Sequence, residues 1–204
     1  MSRLPTTEVQ QPRELSLFTG AGGGVLASRL LGWRTVGYVE WDAFCQELLI
    51  ERIRRGWLED APVFGDIDAF DGRPWRGLVD VVSAGFPCQP FSVAGRQQGS
   101  ADHRNKWPET HRVIREVRPA FAFLENVAGL LANEYFGRVL GDLAELGYDA
   151  EWCTYSAQDV GAPHRRKRLW ILAADAASST LRNIPEWVER LASFSFDALV
   201  RDES

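Results

Sequence analysis

The stretch ELSLFTGAGGGVLASRLLGWRTVGYVE, residues 14–40, decides the fold. Glu14–Phe18 reads as a short strand, Thr19–Gly24 as a glycine-rich turn, Val25–Leu31 as the start of an apolar helix and Arg34–Glu40 as a second strand. Glycines between a strand and a helix permit a tight turn and let a ligand approach the backbone closely. An acidic residue some 20 positions further on is expected to hold ribose hydroxyls, and Glu40 fits. No Walker lysine follows the turn, which argues against a nucleoside triphosphate. Alone, the turn suits NAD, FAD or S-adenosylmethionine, and a tight turn with no ligand is the competing reading. Trp41 is placed to lie against an adenine ring and Asp66 to accept from an adenine amino group. A core tryptophan and a turn cap are the competing readings.

Outward from this unit the alternation continues. Asp42 can cap a helix with Phe44, Leu48, Leu49 and Ile53 near one face. Pro62–Phe64 is a short third strand, and Val79–Ala84 is a nearly continuous apolar run, as a buried parallel strand requires. Residues 85–105 are polar and aperiodic, a long loop of the kind that often carries function. His111–Val117 reads as a helix, Ala120–Leu124 as the fifth strand, and Glu151–Tyr155 and Leu169–Ala173 as the last two. Between them Phe136, Val139, Leu140, Leu143 and Ala144 have the spacing of an amphipathic helix.

This pattern predicts a three-layer αβα, Rossmann-like domain with a mostly parallel sheet. Residues 1–13 read as a flexible tail, 14–175 as the domain, and 176–204 as an extension in which Pro185–Leu191 is a possible final helix. Ligand sites in such sheets lie beyond the carboxyl ends of the strands. The glycine turn, Glu40, Asp66, the Cys88 segment and Glu125 each follow a strand, so the fold should gather them in one cleft.

With 204 residues, 45% of them hydrophobic, the chain suits one domain with a sizeable core. No apolar run approaches the ~18 residues of a membrane span, and the start of the chain has no apolar signal core, so a cytoplasmic protein is expected. Cys45, Cys88 and Cys153 form no CxxC pair, and the histidines have no partners at ligand spacing; neither a disulfide framework nor a metal site is supported. The net charge of −5 argues against a broad polyanion-binding surface but leaves room for the local basic run His164–Arg168.

The most specific stretch is Gly85-Phe86-Pro87-Cys88-Gln89-Pro90-Phe91-Ser92. Two prolines stiffen the backbone around Cys88 and fix the direction of its thiol. A thiolate just past a buried strand, in a loop, is placed as a nucleophile, whereas a structural cysteine would gain little there.

This segment resembles the nucleophile motif of DNA cytosine-5 methyltransferases, and the resemblance extends from about residue 14 to 174. Leu17-Phe18-Thr19-Gly20-Ala21-Gly22-Gly23 is similar to the family's first motif, Glu40-Trp41 to its ribose and adenine contacts, and Gly65-Asp66-Ile67 to its adenine-edge contact. Glu125-Asn126-Val127 resembles the catalytic glutamate motif, and Arg166 and Arg168 match the paired arginines. The resemblance implies S-adenosylmethionine as cofactor, held by Phe18, Gly20, Gly22, Gly23, Glu40, Trp41, Asp66, Ile67 and Pro87. It implies Cys88, Glu125, Arg166 and Arg168 as catalytic residues acting on a cytosine flipped out of double-stranded DNA. It also implies an antiparallel strand near one sheet edge, and a DNA-associated protein of the nucleoid. In the loop Ala94–Asn105, Arg96, Gln97, Gln98 and Arg104 become candidates for DNA contacts.

The chain departs from the family pattern in places. Ser16 stands where aspartate is usual, and His164 where glutamine is usual. Trp107 is a candidate replacement for a leucine against the cofactor. The resemblance further implies a target-recognition domain and a last motif containing Gly-Asn, and nothing after Ala174 resembles either. Three readings follow: a split enzyme whose second chain supplies those parts, a minimal enzyme, or a non-catalytic DNA- or partner-binding module on the same scaffold. An NAD-dependent oxidoreductase leaves Cys88 unexplained, and a cysteine hydrolase lacks a histidine placed beside it.

Overall fold

The computed structural model describes residues 11–87 and 105–177. Cys88, the loop candidates Arg96, Gln97, Gln98 and Arg104, and the segment Pro185–Leu191 lie outside the described residues. In chain order the elements are β1 (Arg13–Leu17), α1 (Gly23–Leu30), β2 (Arg34–Val39), α2 (Ala43–Arg54), β3 (Val63–Phe64) and β4 (Val81–Ala84). They are followed by α3 (Trp107–Val117), β5 (Phe121–Val127), α4 (Tyr135–Glu145), β6 (Tyr148–Ser156) and β7 (Lys167–Asp175).

The seven strands form one sheet in the order β3-β2-β1-β4-β5-β7-β6. The first five strands pair in parallel, and β7 runs antiparallel to both β5 and β6. The three-layer arrangement and the antiparallel strand expected from the resemblance are therefore present. β5 is longer than its apolar run suggested. It continues through Glu125 and Asn126 to Val127, because β7 pairs with it residue by residue as far as Val127↔Arg168. Glu125 thus sits within a strand rather than in the turn after it.

Local signals explain the helix ends. The Asp42 side chain accepts the Cys45 N–H at 2.9 Å and caps α2. α3 has a proline in its first turn, where the missing N–H is harmless, and stops at Arg118 in the left-handed region (φ 52°). The Arg118 guanidinium stacks on Tyr148 and binds Asp175 at 2.7 Å, which ties the end of α3 to the base of β7. The main core lies on one sheet face, where Leu15, Leu17, Val82, Leu124 and Ile171 meet Val113, Ile114 and Val117 of α3 and Val139 and Leu143 of α4. On the other face Val25 and Leu49 of α1 and α2 pack with Tyr38.

One buried group gave no sign in the sequence. Glu14 of β1 is fully buried and accepts hydrogen bonds from Ser28 of α1 (2.8 Å), Thr35 of β2 (2.8 Å) and Ser83 of β4 (2.6 Å). Burial pushes its carboxyl pKa up, and the three hydroxyls only partly oppose this. The folded protein therefore holds this proton to a higher pH than the unfolded chain does. Stability from this site is complete below the unfolded pKa of about 4.3 and declines as pH rises toward the folded value. Glu14→Gln keeps an acceptor and removes the titration. Its thermal midpoint should gain on the parent as pH rises above the unfolded pKa. Parallel melting curves across that range would show that Glu14 does not titrate in this way.

Candidate functional site

The described sequence candidates lie along the carboxyl edge of the parallel strands, and hydrogen bonds tie neighbouring strands together there. β1 ends in Phe18, a non-glycine residue in the left-handed region (φ 52°), and the turn continues through Gly20 (φ 56°) and Gly22 (φ 86°). A side chain at Phe18 makes that conformation strained, and the surroundings must hold it. Thr19 does so: its N–H donates to the Val39 carbonyl at 3.2 Å, and its hydroxyl donates to the Ser16 carbonyl at 3.0 Å. The Ser16 hydroxyl lies 3.2 Å from the same Thr19 oxygen, so the residue that replaces the usual aspartate braces the turn.

Glu40, buried just past β2, accepts the Gly20 N–H at 2.6 Å through one oxygen and the Asp42 N–H at 2.9 Å through the other. One carboxylate thus joins the glycine turn to the start of α2. Trp41 beside it is 75% exposed, so the core reading of this residue is set aside and its ring is available to a ligand. A Cβ added at Gly20 or Gly23 would meet only open space, whereas one at Gly22 would press on Leu49 and Leu58 at 3.2 Å. Gly22 is thus needed for packing, and Gly20 and Gly23 leave the cleft clear. Exposed backbone, a buried carboxylate and an uncovered aromatic ring together suit a nucleoside with ribose hydroxyls.

The third segment divides its roles. Asp66 is exposed, and one of its oxygens accepts the Asp68 N–H at 3.0 Å, so the residue caps a turn. The Ile67 side chain is buried in the main core, and its carbonyl accepts from Arg112 at 2.6 Å. Its side chain therefore serves packing. A cavity of about 720 Å³ lies beside β3, lined by Phe64, Asp66, Phe70, Trp75 and Leu78. Neither the glycine turn nor Glu40 nor Glu125 lines it.

Past β4 the described chain runs through Gly85, Phe86 and the half-buried Pro87, immediately before Cys88. Phe86 is buried against Trp107, with ring centroids 5.4 Å apart. Trp107 itself is fully buried, and its indole N–H donates to Asp142 at 2.7 Å. The expectation that Trp107 replaces a leucine against the cofactor is corrected: it is a core residue at the start of α3. His111 packs beside it, with ring centroids 6.1 Å apart.

Glu125 and Arg168 form an ion pair, Oε1 to Nε at 2.8 Å, with 28% and 23% of their side-chain surfaces exposed. The other Glu125 oxygen borders Gly85, where a Cβ would stand 3.4 Å away. Asn126 is a residue whose role the sequence reading missed. It is buried, and its side-chain amide donates to the Phe86 carbonyl at 3.2 Å, which fixes the chain two residues before Cys88. Its place between Glu125 and Val127 in the motif was the available signal. Arg166 is exposed just before β7, outside the Glu125–Arg168 pair, so the two arginines do not share one contact.

Comparison with known proteins follows the same lines. The family model for C-5 cytosine-specific DNA methylases matches residues 13–195. The type II methyltransferase M.NgoMIV of Neisseria gonorrhoeae is 34% identical over 163 residues, which cover 78% of this chain and 50% of that protein. M.PspPI of a Psychrobacter strain is 38% identical over 165 residues, 78% of this chain and 38% of its own length. The chain thus spans half or less of these relatives. Among solved structures, a DNA modification methyltransferase encoded within an E. coli prophage superposes with a TM-score of 0.65 at 24% identity, covering 81% of this chain and 47% of that one. The S. pombe Dnmt2 methyltransferase gives 0.65 at 21% identity, with 83% and 52% covered.

Proposed function

Because this chain belongs to the C-5 cytosine-specific DNA methylase family, we propose that it transfers a methyl group from S-adenosylmethionine to C5 of cytosine in double-stranded DNA, with Cys88 as nucleophile. The observation that carries this reading is the link between acid and nucleophile segments. Glu125 is held by Arg168 beside Gly85, and Asn126 of the same strand holds Phe86. A carboxyl group and the approach to Cys88 are thereby positioned by one rigid strand, as a two-residue mechanism needs.

The turn at Gly20, Gly22 and Gly23, with Phe18, Glu40, Trp41, Asp66 and Pro87, would hold the cofactor. When bound, S-adenosylmethionine supplies an electrophilic methyl group on a sulfonium. Cytosine C5 is a poor nucleophile until the ring is activated. The Cys88 thiolate adds at C6, and Glu125 holds the proton at N3 and faces the exocyclic amine, which leaves C5 enamine-like. Arg168 keeps the carboxylate aimed, while Arg166, exposed at the rim, is free to meet the base carbonyl or a nearby phosphate. After methylation, loss of the C5 proton and of Cys88 restores the ring. The base must be flipped out of the stack for any of these groups to reach it.

The test is covalent trapping. DNA carrying 5-fluorocytosine cannot lose its C5 substituent as a proton, so the adduct persists. Incubated with S-adenosylmethionine, the chain should give a protein–DNA band on a denaturing gel. If cofactor binding is intact but no band forms on DNA of varied sequence, the chain needs a further polypeptide. Loss of cofactor binding as well would favour the non-catalytic module.

Glu40→Ala tests the cofactor half separately. Hydrogen bonds to a charged group are worth about 1.5–3 kcal/mol, so S-adenosylmethionine affinity should fall roughly 10- to 100-fold by calorimetry. An unchanged dissociation constant would remove Glu40 from the ribose site.

A further inference from the structure

Asp66 stands on a part of the chain with little backbone pairing. It follows β3, which has two residues, lies at one edge of the sheet and, among the described residues, pairs with β2 alone. Residues 65–80 then lead to β4 with a single 3-10 turn, Arg73–Trp75, among them. The direction of the Asp66 carboxylate is therefore not set by the sheet ladder. The long-range bonds that hold this connection come from α3 and the residue before it.

The Arg112 guanidinium donates to the Ile67 carbonyl at 2.6 Å and to the Phe70 carbonyl at 2.8 Å. It also pairs at 2.9 Å with Glu116, one turn further along α3, and the same Glu116 oxygen accepts the Gly72 N–H at 2.8 Å. The approach is close, since a Cβ at Gly72 would stand 3.0 Å from Glu116. Lys106, just before α3, binds Asp68 at 2.6 Å. Within this frame the turn is tight: one Asp66 side-chain oxygen accepts the Asp68 N–H, and the Asp66 carbonyl accepts the Ala69 N–H at 3.1 Å. The second carboxylate oxygen has no hydrogen-bond partner among the described residues, and the residue is exposed. Arginine suits the holding role, because its planar fork reaches two carbonyls and a carboxylate at once, which the point charge of a lysine does not.

We propose that Arg112 is a positioning residue for adenine recognition. By gripping the Ile67 and Phe70 carbonyls, and the Gly72 N–H through Glu116, it holds the turn so that the second Asp66 oxygen meets the adenine amino group of the cofactor. Arg112 touches no cofactor atom itself and acts through Asp66. The inference rests on the reading of Asp66 as the adenine contact. An amino group donates to a carboxylate, whereas the carbonyl of hypoxanthine at the same position meets it with another acceptor, so a well-held Asp66 discriminates between the two bases.

The experiment titrates the full 204-residue chain by calorimetry with S-adenosylhomocysteine and with S-inosylhomocysteine, which carries hypoxanthine in place of adenine. The parent should prefer the adenosyl ligand by roughly 10-fold or more. Asp66→Asn keeps an oxygen for the turn and offers an amide N–H to the hypoxanthine carbonyl, so it should erase or reverse that preference. Arg112→Met keeps the apolar stem and removes every donor. It should weaken S-adenosylhomocysteine roughly 10-fold and leave S-inosylhomocysteine within about two-fold, so that the preference collapses. Arg112→Lys keeps the charge and the Glu116 pair, holds the fold if the Met variant does not, and should lose part of the preference. If Asp66→Asn collapses the preference while both Arg112 variants keep it, or if Arg112→Met weakens the two ligands equally, the positioning role is overturned and the adenine contact stands. A parent that does not distinguish the two ligands would overturn the Asp66 assignment and this inference with it.

Discussion

Cys88→Ala will bind S-adenosylmethionine within a few-fold of the parent and methylate DNA at least roughly a thousand-fold more slowly. Without the thiolate no bond forms at C6, and C5 keeps the low nucleophilicity of an aromatic carbon. The effect falls on turnover because most of the groups assigned to the cofactor, Glu40 and the glycine turn among them, follow β2 and β1, the two strands beyond β4, and do not depend on the Cys88 thiol. Alanine also leaves intact the flanking prolines and the Asn126 bond to Phe86, so the segment keeps its path. Incorporation of labelled methyl into DNA gives the rate and calorimetry gives the affinity. Retained turnover would take Cys88 out of the mechanism, and lost affinity would make it a structural residue of the cofactor cleft.

Glu125→Gln carries the second large effect, a fall in kcat of about 100- to 10,000-fold with DNA affinity changed far less. The amide matches the carboxylate in size and fills the same space beside Gly85, but it cannot hold a proton for N3. It also leaves Arg168 without its counter-ion. Both partners are about a quarter exposed, so water screens that loss, and stability should fall by about 1 kcal/mol or less. The two consequences are separable. A stability loss with kcat unchanged would mean that the ion pair only closes the sheet edge.

How much of this was legible depends on where the partners sit. Local signals were readable: Asp42 before an apolar run, a glycine turn between strand and helix, an amphipathic stripe in α4. Glu40 and Glu125 could be named because each stands in a short motif whose chemistry constrains its residues. The Glu14 site could not, because its three hydroxyl donors come from α1, β2 and β4, and only the folded sheet brings them together. Trp107 was misjudged for a related reason. It was assigned by position in the family pattern, whereas its burial depends on Phe86 and Asp142, far away in sequence. The length of β5 was hidden too, since Glu125 and Asn126 end its apolar run while β7 continues to pair with them. The antiparallel strand near one edge followed from the resemblance, and the strand order became visible only in the folded sheet.

The antiparallel course of β7 bears on how the protein is made. The candidate site residues other than Arg166 and Arg168 lie in or follow strands that are synthesised before residue 130, and Arg168 arrives with the last strand, inserted between β5 and β6. Until the ribosome has released β7, one edge of β5 is unpaired and open to other chains, and Glu125 has no cation beside it. A chain interrupted before residue 168 would therefore carry the proposed nucleophile segment without Arg168 to hold the proposed acid, Glu125. Assembly of the proposed catalytic edge is in this sense a late checkpoint of biosynthesis, passed only when the sheet closes.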